Sequence, residues 1–160
     1  MKALRRQFEE RLGQLGVAVV SAADLGTVLT GKVFVSDHAI CKPWLARATC
    51  SDPREADVTA TGCDALVAET GSVALLSAPT ETRLSTLMAP LNVIVASERQ
   101  LVADMESVFE RFADRLRPGK ATACLTFVTG PSRTTDIEKT LIFGVHGPKK
   151  LVFVFAEAGG

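Results

Sequence analysis

The side chains best suited to hold a small anion crowd into Thr129-Gly130-Pro131-Ser132-Arg133-Thr134-Thr135-Asp136-Ile137-Glu138. Arg133 brings a planar fork of donors that matches a carboxylate or phosphate. Thr129, Ser132 and Thr134 add hydroxyls, and Gly130 lets the backbone come close to a ligand. The apolar run Ala123–Val128 predicts a buried strand just before this segment, and Asp136–Phe143 predicts a short helix just after it. That order would aim free N–H groups and the positive end of a helix dipole at the ligand. It would do so at the carboxyl end of a strand, where open α/β sheets bind small molecules. Thr135-x-x-Glu138 also reads as a capping box, which gives Glu138 a structural task. Asp136 favours the dipole but repels an anion unless it orients Arg133.

Two further loops carry chemistry. In Glu69-Thr70-Gly71-Ser72, Glu69 either points into a cleft beside the anion loop or is a solvated turn residue. In the cleft it would act as acid, base or nucleophile, or bind a substrate hydroxyl. Gly144-Val145-His146-Gly147-Pro148 holds His146 in a tight turn, and an ordinary imidazole titrates near pH ~6.5, which suits proton transfer. His38, beside Ala39 and Ile40, reads as a packing residue or a helix start. Trp44 reads as core, and Lys149-Lys150 as a solvated flank.

Several familiar sites are missing. No G-x-G triplet occurs, so the dinucleotide fingerprint is absent. Gly31-Lys32 and Gly119-Lys120 are followed by Val33 and Ala121, where a P-loop needs Ser or Thr for Mg²⁺. Gly130-Pro131-Ser132-Arg133-Thr134 ends in Thr where a nucleophile elbow needs Gly. Cys41, Cys50, Cys63 and Cys124 form no C-x-x-C pair, so zinc ribbons and cysteine-run iron–sulfur sites have no support, and no metal site is expected. Hydride and electron transfer are chemistry that cofactors supply. If the chain serves a redox pathway, a partner carries the electrons.

The elements that must position these loops are written in the apolar pattern. Leu4, Phe8, Leu12 and Leu15 make one stripe of a helix. Short strands are predicted at Val17–Val20, Val33–Val35, Asn92–Ala96 and Leu151–Phe155. Asp64–Ala68 and Ser72–Ser77 flank Glu69-Thr70-Gly71 as a hairpin. Ser97-Glu98-Arg99-Gln100 is a capping box and opens a predicted helix with Leu101, Met105, Val108, Phe109, Phe112 and Leu116 on one face. Continuous apolar strands alternating with amphipathic helices predict an α/β fold, a three-layer sandwich whose mostly parallel sheet is made mixed by the hairpin.

The length of 160 residues suits one domain over 1–160. With 47% apolar and 22% charged residues, wholesale disorder is excluded. Eighteen basic residues balance eighteen acidic ones, which argues against nucleic acid or an anionic membrane surface as partner. No apolar run approaches a membrane span. Glu9, Glu10 and Arg11 interrupt the N-terminal stretch where a secretory signal would be apolar. The expected location is the cytoplasm, with reduced thiols.

The motif Thr129–Glu138, followed by Gly144–Pro148 and preceded by Ala68-Glu69-Thr70-Gly71, resembles the LUD domain, the LutC/YkgG family of lactate utilisation proteins. The likeness covers about Phe8 to Phe155, and the motifs come in the family's order. It implies a fold similar to the NagB/RpiA/CoA-transferase-like group. It also implies a role in oxidising L-lactate to pyruvate beside iron–sulfur partner proteins, this chain being the component without a cluster. Family members commonly carry a longer N-terminal segment. Within the wider fold group, Glu69-Thr70-Gly71 resembles the turn that bears the nucleophile of CoA-transferases, with Thr in place of Asn. The alternative reading is therefore a stand-alone enzyme for CoA esters or phosphosugars that uses Glu69.

Overall fold

The computed structural model describes residues 1–77, 84–117, 124–131, 133–135, 141–143 and 147–156, and at 77, 133–135 and 141–143 it describes the backbone alone. Helix α1 (Lys2–Gln14) forms where the leucine stripe predicts it, and buries Phe8 and Leu12. Gly16, at φ 74°, turns the chain out of the helix into β1 (Ala18–Ser21). After α2 (Leu25–Val28) come β2 (Val33–Val35) and a 3₁₀ segment, Ala39–Arg47, with Pro43 inside it. Then follow β3 (Val58–Gly62), β4 (Ala65–Val67), β5 (Ser72–Ser77) and β6 (Leu91–Ala96). The short β7 (Leu101–Val102) precedes α3 (Met105–Phe112). The described chain ends with β8 (Cys124–Val128), β9 (Arg133–Thr135), β10 (Leu141–Phe143) and β11 (Lys150–Phe155).

The α/β class and the mostly parallel sheet are as predicted. Five strands in the order β1-β11-β6-β3-β2 are all parallel. Side chains alternate across the inner strands as period-two geometry demands. Ile94, Leu151 and Phe153 face one core together with Phe8 and Leu12 of α1, while Val93, Val95 and Val154 face the other beneath α2 and the 3₁₀ segment. Phe8 and Phe153 meet edge to face at 5.2 Å, a contact that adds about 0.5–1.5 kcal/mol beyond area burial.

The hairpin does not join that sheet. β4 and β5 belong to a second, four-stranded sheet of order β7-β4-β5-β8, and this is where the mixed pairing lies. Leu66, Val73 and Leu75 pack under the parallel sheet and α1, while Ala65, Val67, Ala74 and Leu76 pack under Val108 and Phe112 of α3. A strand buried on both faces reads as one apolar run, and such a run does not say which sheet receives it.

Two helix predictions also change. The Ser97 capping box forms, with Ser97 N–H donating to Gln100 Oε1 at 2.7 Å, but it caps only the 3₁₀ turn Glu98–Gln100. Leu101 and Val102 then pair with Leu66 and Val67, and α3 starts afresh at Asp104, whose carboxylate accepts from Ser107 N–H at 2.8 Å. The predicted helix at Asp136–Phe143 is contradicted at its end, because Leu141–Phe143 is a strand antiparallel to Arg133–Thr135. Thr135 pairs with Leu141, and residues 136–140, with Glu138 of the expected capping box, lie outside the described residues. The β-branched pair Thr134-Thr135 and the run Leu-Ile-Phe suit a pleated surface.

Candidate functional site

The Glu69 loop is built by three elements. Gly71 sits at φ 71°, and a Cβ there would lie 2.8 Å from Arg11 Cβ and 3.2 Å from Leu15 Cδ1, so conformation and space both require glycine. The Gly71 N–H closes the turn on Val67 O at 2.9 Å, and the Glu69 N–H donates to Ala103 O at 2.9 Å. From α1, Arg11 Nε donates to Glu69 O at 2.9 Å. The Glu69 side chain is exposed, and among the described residues its carboxylate has no partner.

Thr129 meets this loop because β8 runs antiparallel to β5, with Val73 opposite Val128. That register sets Ser72 across from Thr129, and their hydroxyls lie 2.6 Å apart. Thr70 Oγ1 donates to Ser72 Oγ at 2.8 Å. A chain of three hydroxyls thus joins the two motifs. Gly130, at φ 85°, continues the loop past Leu15, the residue that follows α1. Pro131 lines a hollow of about 300 Å³ with Leu15, Gly16, Ala18 and Lys149–Val152.

Thr70, Gly71, Thr129 and Gly130 are therefore brought together. Ser132, Asp136 and His146 lie outside the described residues, as do the side chains of Arg133 and Thr134. The expected setting is corrected. β8 belongs to the second sheet, and the junction lies beside Ala18 and Lys149, near the amino ends of β1 and β11. The described start of the anion loop, Thr129–Pro131, thus sits at the amino edge of the parallel sheet rather than its carboxyl edge.

The carboxyl edge holds a different hollow, of about 600 Å³, where β1, β11 and β6 end side by side. Ser21 and Ala22 follow β1, Phe155 closes β11, and Ser97, Glu98 and Arg99 follow β6. Arg5 reaches over from α1, lies 4.5 Å above the Phe155 ring and pairs with both Glu9 and Glu98. The hydrogen bonds that Arg5 donates to Glu9 and Glu98 raise its pKa above the ordinary value. Sequence reasoning took Ser97–Gln100 only as a cap. Its position directly after a buried parallel strand was the signal that it borders the edge where such sheets bind ligands.

Further along that edge, His38 Nδ1 accepts from Ile40 N–H at 3.3 Å and opens the 3₁₀ segment. The ring rests directly on Gly62 at the end of β3, where any Cβ would collide with it. Burial pushes the Cys41 thiol up to about 11 and raises that of Cys63 further. Among the described residues no group of three or more His, Cys, Asp or Glu is arranged to hold a metal ion.

This arrangement can be set beside known proteins. The LUD domain model matches residues 8–156. The chain belongs to the LUD domain family. The chain is 32% identical over 102 residues to Lactate utilization protein C of Shouchella clausii, covering 64% of this chain and 44% of that protein. The protein of the same name from Deinococcus radiodurans is 29% identical over 163 aligned positions, covering 91% of this chain and 76% of that one. The chain thus spans less than half the length of several relatives it matches. Its fold is similar to the crystal structure of a DUF162 family protein from Deinococcus radiodurans, with a TM-score of 0.69, 25% identity and 96% of each chain covered.

Proposed function

We propose that this LUD domain serves lactate utilisation as a component without a cluster of its own. It binds a small carboxylate or similar anion and acts in the cytoplasm with iron–sulfur partner proteins. Kinship with proteins named Lactate utilization protein C supports the pathway. The observation that carries the ligand reading is the hydroxyl chain Thr70–Ser72–Thr129, which draws two anion-type loops onto the end of α1. Oxidation of L-lactate to pyruvate releases an electron pair and protons. Iron–sulfur clusters of a partner would supply the electron acceptor, since side chains alone do not store electrons. Arg133 clamps the carboxylate, with Thr129, Gly130, Ser132 and Thr134 lining the cradle and Asp136 orienting the guanidinium. Thr70 and Gly71 shape the facing turn, and Glu69 or His146 takes the hydroxyl proton.

The test is lactate-dependent growth and copurification with iron–sulfur partners in a strain carrying Arg133→Ala. Loss of growth with the complex intact supports the clamp, and normal growth refutes it. A second reading rests on the exposed Glu69 carboxylate, which has no described partner and is free to attack a thioester. Incubation with acyl-CoA followed by mass spectrometry decides it, since an adduct must appear on Glu69.

A further inference from the structure

The hollow at the carboxyl edge is separate from the proposed carboxylate seat, which lies near the opposite ends of β1 and β11. Its volume of about 600 Å³ falls within the range of roughly 300–1,000 Å³ typical of sites for drug-sized ligands, and a three-carbon acid would leave most of it to water. Two of its walls are flat. The Phe155 ring carries the Arg5 guanidinium 4.5 Å above it, and guanidinium planes stack on aromatic faces. The charge is unevenly used. Glu98 is paired with Arg5, whereas the Arg99 guanidinium is exposed and has no partner among the described residues. Only the backbone of Arg99 is anchored, its carbonyl accepting from Arg111 Nη2 at 3.2 Å and its N–H donating to Ser97 Oγ at 3.3 Å. Ser97 is buried, and its hydroxyl, which accepts that N–H, keeps its own proton free to donate into the hollow.

We propose that this hollow is a second small-molecule site, which takes an anion that carries a flat ring. The ring stacks on the outer face of Arg5 above Phe155. The phosphate or carboxylate binds Arg99 and the Ser97 hydroxyl. Glu98 competes with the ligand for Arg5 and so sets a ceiling on affinity.

That competition gives the test a sign that a merely structural cluster lacks. The full chain is titrated calorimetrically with AMP, with benzoate, and with inorganic phosphate as the ringless control. Saturable binding of AMP or benzoate, tighter than that of phosphate, is expected. AMP ahead of benzoate assigns a phosphate-bearing ligand, and the reverse order assigns a carboxylate. Arg99→Ala weakens binding about tenfold or more, as loss of a hydrogen bond between charged groups does. Glu98→Gln frees Arg5 and tightens binding roughly threefold. Far-UV circular dichroism and thermal midpoint confirm that each variant is folded. Ser72→Ala, at the other edge, leaves this binding unchanged. Absence of saturable binding to the wild-type chain, indifference to Arg99→Ala, or phosphate binding as well as the ring compounds overturns the proposal.

Discussion

Ser72 is the residue through which the two motif loops communicate, so removing its hydroxyl is the most direct perturbation of the junction. It is 3% exposed, and its Oγ lies 2.8 Å from Thr70 Oγ1 and 2.6 Å from Thr129 Oγ1. Each such bond contributes about 0.5–1.5 kcal/mol net. Thr129 is exposed, so water replaces its lost partner. Thr70 still accepts the Ser72 N–H at 3.3 Å. No orphaned buried group is left behind, and alanine fits the space. Ser72→Ala should therefore cost about 1–2 kcal/mol, which for a chain of this length lowers the melting temperature by roughly 3–7 °C. Thr129→Val keeps the branched shape and removes the other end of the chain of hydroxyls. A double-mutant cycle from urea unfolding should return a coupling of about 0.5–1.5 kcal/mol between the two positions. The proposed carboxylate seat predicts that lactate or pyruvate raises the melting temperature of the wild type and raises it less in the same variants, since a ligand stabilises only the state that binds it. Additive single mutants, within roughly 0.3 kcal/mol, would show that the loops merely lie side by side.

Other consequences can be measured on the same material. Gly62→Ala forces the His38 ring off the end of β3 and should destabilise the fold by about 1–3 kcal/mol in urea melts, whereas an exposed control such as Gly13→Ala should cost nothing. Glu69→Gln, at an exposed side chain, should leave stability within about 0.5 kcal/mol while abolishing lactate-dependent growth; normal growth would remove Glu69 from the chemistry. The buried thiols give a pH dependence whose sign is fixed. Cys41 is raised from 9.0 to about 11 by burial, so its contribution is full below pH ~9, where both folded and unfolded thiols are protonated. Above that the unfolded chain loses its proton first, and stability falls by up to about 2–3 kcal/mol by pH ~11, with Cys63 acting in the same direction. Urea midpoints at pH 8 and pH 10 test this, and the Cys41→Ala/Cys63→Ala double variant should flatten the difference. Burial holds the Cys41 and Cys63 thiols protonated at pH 8 and shields them, so both should resist alkylation while Cys50, which is half-buried, labels sooner.

What could be read in the chain and what could not divides along sequence distance. The turn at Glu69-Thr70-Gly71 was legible because its glycine and flanking apolar runs are local. Pairing of Thr129 with Ser72 follows only from the β5–β8 register, whereas the residues around Glu69 left it either beside the anion loop or on a solvated turn. The boundary of α3 was not legible. Leu101 and Met105 are spaced as on a helix, and the capping box before them is real. The Leu101–Leu66 and Val102–Val67 pairing outweighs that local preference with strand hydrogen bonds and leaves Asp104 to start the helix instead. Acid should expose that choice. The Asp104 carboxylate is held below its usual range by hydrogen bonds from the Ser107 hydroxyl and N–H, so its capping persists above pH ~3.8 and fades as the pH falls through the lowered value.

The carboxyl-edge hollow is the harder case, because its parts are unremarkable one by one. Arg5 reads as a helix-face charge, Phe155 as the end of an apolar run, and Ser97-Glu98-Arg99 as a cap. Only the strand order β1-β11-β6 sets the three strand ends side by side, and that order joins residues about as far apart as the chain allows. The same order explains why the Thr129 loop, although it follows a strand, does not lie at that edge. Its strand was assigned to the second sheet by the burial of β5 on both faces, a property of packing that no window of residues around Thr129 contains. A strand followed by a polar loop is thus a ligand site of the doubly wound type only when the strand lies in the parallel sheet, and for this chain β6 meets that condition while β8 does not.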